Sequence, residues 1–195
     1  MTADGLRLGI AHHFGWAVAV TATPGHNVVD RRRIELIEPG LPTAPIHHEG
    51  GPHDLHRQDE PLTDDALAAL VADVRAAVLR ATRAALDELT AALPAAVVSM
   101  SLRSRPDDFP VDIAELRRAP FESRADSIMY LQVLDDVGRE RGWAVHTFEA
   151  RTVEADAARI LGERAQETLH GPRARWGPPW TKDHRTALAA TILLG

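Results

Sequence analysis

Three segments rich in Val, Ile and alternating residues crowd into the first 37 positions, at 6–11, 16–23 and 28–37. Runs of this kind read as strands. The first break is "HHFG" and the second is "TPGHN", a Pro-Gly turn. Parallel neighbours need a crossover of about a dozen residues or more, so breaks this short admit only an antiparallel meander. The rest of the chain must build outward from that three-stranded sheet.

Beyond residue 62, helices and strands alternate. Thr63 caps a helix whose first turn carries Asp64 and Asp65, favoured there by the dipole. Leu67, Leu70, Val71, Val74, Val78, Ala81, Ala85 and Leu89 then recur at three and four, and Pro94 closes the run. "AAVVSMSL" at 95–102 is a buried strand and "RSRPDDFP" at 103–110 a loop. Ser123, with Asp126 three residues on, has the pattern of a capping box opening a second helix. Ile128, Leu131, Leu134 and Val137 form its inner stripe, and Gly142 stops it. A strand at 143–149 precedes a helix at 153–161, with Ala155, Ala158 and Leu161 inward. "HGPRARWGPPWTKD" reads as a loop, and residues 186–194 as a closing helix. Strands that meander and then alternate with helices predict an α/β fold: a five-stranded mixed sheet with helices on both faces. The length suits a single domain over 1–195, with one long loop at 38–62 that holds five prolines and four histidines.

Charge narrows the function. A formal net charge of −6 counts against a dedicated basic nucleic-acid surface, though a local patch stays open. With no cysteine, disulfides, thiolate catalysis and Cys-based zinc sites are excluded. The start lacks a basic region followed by an apolar core, and no run reaches the ~18 apolar residues of a membrane span. The expectation is a cytoplasmic protein with no membrane partner.

Three stretches carry a resemblance. "LGIAHHFGWAVAV" at 8–20, "GWAVHTFEARTVEADAARIL" at 142–161 and "KDHRTALAATILL" at 182–194 resemble the opening strand pair, the fifth strand with its helix, and the terminal helix of ribonuclease H-like proteins. Within that superfamily they are most similar to the YqgF-type Holliday-junction resolvase branch. The resemblance implies a ribonuclease H-like fold and a divalent metal ion held by acidic side chains at the ends of the first strand, the fourth strand and the last helix. Such ions polarise a phosphate and activate water. Here Ala11 takes the first-strand Asp position, and the fourth strand ends in Ser99, Ser101 and Arg103. Only Glu149 and Asp183 match acidic positions.

Either catalysis has been lost, or a histidine-based centre has replaced the acidic one. His12, His13, Glu149, Asp183 and His184 are the candidate catalytic residues, with His12, Asp183 and His184 as metal ligands. Imidazole suits transition metals rather than Mg²⁺ and also titrates near neutrality. Each has a structural alternative: turn histidines bonded to backbone, a helix-start Asp, an exposed strand-end Glu. Arg103, Arg105 and Lys182 are candidate anion-binding residues, in a basic concentration with Arg117, Arg118 and Arg124. His47, His48, Glu49, His53, Asp54 and His56 make the long loop dense in ligands, without a recognised zinc spacing. Trp176 and Trp180, among prolines, form a stiff loop that offers a stacking platform for a base or, the favoured reading, plugs a core or mediates a homodimer. Two functions stay open. One is a metal-dependent phosphodiester hydrolase acting on nucleic acid or another anionic ligand. The other is a catalytically silent binding or scaffold protein that retains the fold.

Overall fold

The computed structural model describes residues 5–50 and 60–193. Strands β1 (Leu6–His12), β2 (Trp16–Ala22) and β3 (Val28–Glu35) form the antiparallel meander. Strand β4 (Val97–Arg103) lies parallel to β1, and β5 (Ala144–Phe148) parallel to β4. The sheet order is β3-β2-β1-β4-β5, a five-stranded mixed sheet with the expected antiparallel meander of β1 to β3.

Helices cover both faces. Helix α1 (Asp64–Ala91) opens on Thr63, whose Oγ1 accepts from the Ala66 N–H at 3.3 Å. Its buried stripe of Val74, Val78, Leu86 and Leu89 packs toward Leu6, Leu8 and Ile10 of β1. A short helix, α2 (Ile113–Leu116), precedes α3 (Glu122–Glu140), which completes that layer with Ile128, Leu131, Leu134 and Val137. On the opposite face, α4 (Val153–Leu161) and α7 (Lys182–Ile192) pack on Ala11, Val18, Val20 and Phe148. Fully burying each Leu, Val or Ile stabilises the fold by about 1.5–3 kcal/mol, so the two cores supply the main driving force.

Helix α7 lies very close to β1. A Cβ on Gly9 would sit 1.8 Å from the carbonyl oxygen of Ala187, so only glycine fits there. Ala187, Ala189 and Ala190 give the helix the small flank that this approach needs. Near the helix's far end, Arg7 Nη1 donates to the Thr191 carbonyl at 3.2 Å.

Four expectations need correction. Asp126 caps nothing: α3 begins at Glu122, and the Asp126 carboxylate is buried, accepting from the backbone N–H groups of Ile46 at 3.1 Å and His47 at 2.9 Å. These bonds hold a π-helical turn, Ile46–Gly50, inside the stretch that reads in sequence as open loop. His53, Asp54 and His56 lie outside the described residues. The stretch 170–183 contains helical turns, because α5 (Ala165–His170) and α6 (Pro172–Trp176) precede an α7 that starts at Lys182, not at 186. In α4 the inward alanine is Ala157, and Ala155 is exposed. No helix among the described residues is long and apolar enough to cross a membrane.

Candidate functional site

The three parallel strands end together. β1 finishes at His12, β4 at Arg103, and Glu149 follows β5. Adjacent strand residues point to opposite faces, and the two histidines separate accordingly. His12 turns toward α3, with Nε2 3.0 Å from Ser127 Oγ. Burial, reinforced by the charges of Arg103 and His13, pushes its imidazole down to about 4, so the ring is neutral at neutral pH. His13 turns toward α7, with Nε2 3.1 Å from Asp183 Oδ2. Its ring stacks on Trp16 at 4.1 Å, and the Arg33 guanidinium lies 4.1 Å over the same indole.

The other candidates spread around the rim. Glu149 accepts a hydrogen bond from Ser104 Oγ, while the Ser104 N–H donates to the Phe148 carbonyl at 2.9 Å. His184 is buried and serves as a cap. The Thr181 N–H donates to His184 Nδ1 at 3.2 Å, and the Thr181 side chain accepts from the N–H of His184, a capping box with histidine in place of Glu or Gln. Burial and the charge of Arg31 hold that imidazole below its ordinary value, against a rise from Asp183. Lys182 is exposed at the first position of α7. Asp183 and His13 thus come together, whereas His12, Glu149 and His184 each face a different partner.

A cleft of about 820 Å³ opens beside these strand ends. Arg103, Arg105, Arg124 and Arg151 line it with Ser104, Ser123, Ser127 and Phe14, and among the described residues Glu149 is its only carboxylate. Arg105 lies 3.8 Å from Asp135. Among the described residues the guanidinium groups of Arg103, Arg124 and Arg151 make no hydrogen bond or ion pair, so their forks stay available to an oxyanion. Arg117 leaves the basic group to bond the carbonyls of Gly50 and Leu62 and the carboxylate of Asp64. Sequence reasoning missed Arg151 and Ser127. Arg151 stands just past the end of β5, beside the β4 end that Arg103 forms. Ser123 and Ser127 stand four apart on α3, one polar strip on a helix face.

Among the described residues the rim donors do not cluster as a divalent metal site requires. A two-metal phosphoryl site needs clustered oxygen ligands. Among the described residues no group of three or more His, Asp or Glu side chains is placed to hold an ion. Asp183 is taken by His13, Glu149 by Ser104 and His184 by its cap.

No protein-family model matches the chain. No curated protein matches it either. Among solved structures the chain is similar to T. thermophilus RuvC in complex with a Holliday junction substrate, at 9% identity over 96% of this chain and 90% of that one, with a TM-score of 0.53. The fold is ribonuclease H-like. A ribonuclease H-like sheet in this order explains why the first, fourth and fifth strands finish at one rim. At this identity the likeness carries the architecture alone.

Proposed function

We propose that this ribonuclease H-like protein binds the phosphodiester backbone of a nucleic acid in the arginine-lined cleft, without a metal-assisted cleavage centre. The observation that carries this reading is the cleft's charge: four guanidiniums against one carboxylate, at the rim where the parallel strands end. It is a local basic surface on an acidic chain. Serine hydroxyls between the arginines suit phosphate oxygens, which accept hydrogen bonds. That the similar RuvC is in complex with a Holliday junction substrate supports branched DNA as the first ligand to test. The YqgF-type likeness of the β1–β2, β5–α4 and α7 stretches points the same way.

Fluorescence anisotropy with a labelled four-way junction, a duplex and a single strand tests this. Binding is expected at low salt, with log affinity falling linearly against log salt. Arg103→Ala and Arg151→Ala should each reduce that slope by about 0.9 if each guanidinium contacts one phosphate. No binding at low salt, or an unchanged slope in both variants, would sink the reading.

One observation favours a hydrolytic alternative. The His13–Asp183 pair, 3.1 Å apart at the rim, has the form of an imidazole oriented by a carboxylate. On that alternative the purified protein cleaves the junction, and both His13→Ala and Asp183→Asn abolish cleavage while leaving binding intact.

A further inference from the structure

A second pocket lies at the opposite end of the sheet. The β2–β3 hairpin tip, α5 and α6 enclose about 430 Å³ there, and the pocket shares no lining residue with the cleft. We propose that it binds a nucleoside monophosphate, with Arg164 and Arg175 on the phosphate and Trp176 beside the base. This site is independent of the function proposed for the cleft.

Three observations converge. The first is a backbone anomaly. The hairpin requires a left-handed residue at position 26, and it is histidine, with φ of 68°, where glycine would sit without strain. Strained non-glycine residues cluster at ligand sites because the side chain is worth its conformational cost there. The second is the place of that residue: His26 itself lines the pocket, beside Gly25, Asn27 and Val28 of the hairpin tip. The third is unspent positive charge. Neither the Arg164 nor the Arg175 guanidinium forms a hydrogen bond or ion pair among the described residues.

The ligand class comes from the lining. Two free guanidiniums call for an oxyanion. Half-buried Trp176, with the Arg175 guanidinium 5.8 Å from its ring centre, offers an aromatic face beside that charge. Asn27 and Thr168 supply polar groups that read a ring edge. Glu167 is the single lining carboxylate, which suits a ribose diol and disfavours a second phosphate. The volume lies within the ~300–1,000 Å³ range of small-ligand pockets.

Calorimetric titration of the full chain with AMP, GMP, CMP and UMP, with adenosine and inorganic phosphate as controls, tests the proposal. At least one monophosphate should bind about tenfold more tightly than either control. The double variant R164A/R175A should weaken it by about tenfold or more, and R103A should leave it unchanged. His26→Gly gives a signature that a merely structural residue would not: it relieves the left-handed strain, so the melting temperature rises, while affinity for the monophosphate falls. If no monophosphate binds at millimolar concentration, if phosphate alone binds as well, or if R164A/R175A or His26→Gly leaves affinity unchanged, the proposal is overturned.

Discussion

The carboxylate of Asp126, on the first half of α3, lies 2.9 Å from the backbone N–H of His47. Through it, and through the Tyr130 hydroxyl that donates to the Thr43 carbonyl at 2.9 Å, a core helix holds the first half of the long loop in place. Burial raises the Asp126 carboxyl from 3.8 to about 6, opposed by the two N–H groups it accepts from. A carboxyl raised on folding binds its proton more tightly in the folded state. Its contribution is therefore favourable at low pH and is lost as pH climbs from about 4 to about 6. Urea titrations across that range should show the wild type losing stability relative to Asp126→Asn. Asp126→Ala, which strands two buried N–H groups, should cost about 1–3 kcal/mol, with the larger loss at low pH.

His12 carries the opposite sign. Its imidazole falls from 6.5 to about 4, so the folded state prefers the neutral ring. The resulting stabilisation is complete above 6.5 and is lost as pH falls toward 4. Nitrogen-resolved NMR should find its titration midpoint near 4, and His12→Gln should flatten the acid limb of the stability profile. A midpoint near 6.5 would mean that the ring is solvated and not held against Ser127.

Gly9→Ala tests the contact between α7 and β1. A methyl 1.8 Å from a backbone carbonyl oxygen cannot be absorbed by a rotamer change. The loss should reach about 3 kcal/mol or more, which lowers the melting temperature by roughly 6–12 °C in a chain of this size. A smaller loss, read by differential scanning calorimetry, would show that helix and strand are less tightly apposed.

Trp180→Phe separates plug from platform. The indole is buried in the second core, and its Nε1 donates to the Leu169 carbonyl at 2.8 Å. The substitution should cost about 1–3 kcal/mol, from an unsatisfied buried carbonyl. Nucleic-acid affinity in the cleft should be unchanged, as measured by anisotropy.

The two faces of the sheet are legible in the sequence because burial follows alternation. Leu6, Leu8 and Ile10 face α1 and α3, while Ala11 faces α7, and that period of two is visible in the letters. The rim itself is legible through His12, Arg103, Glu149 and Asp183, each at the end of a periodic element. The bonding partner of each side chain is not. Asp126 stands three residues after a serine, the spacing of a cap, and only tertiary packing reveals that its partners are the amides of Ile46 and His47. His184 looks like a ligand beside Asp183, yet its local hydrogen bond to Thr181 takes it first. Local spacing names which residues stand at an edge; it does not rank the partners competing for them.

Helix α7 is fastened to β1 near both of its ends: Asp183 to His13 at one, the Thr191 carbonyl to Arg7 at the other, with Gly9 allowing no gap between. Strand and helix therefore travel as a single bar. Any ligand that nudges the rim must displace the whole length of that bar, and the far end of the sheet would feel the push as translation and not as bending.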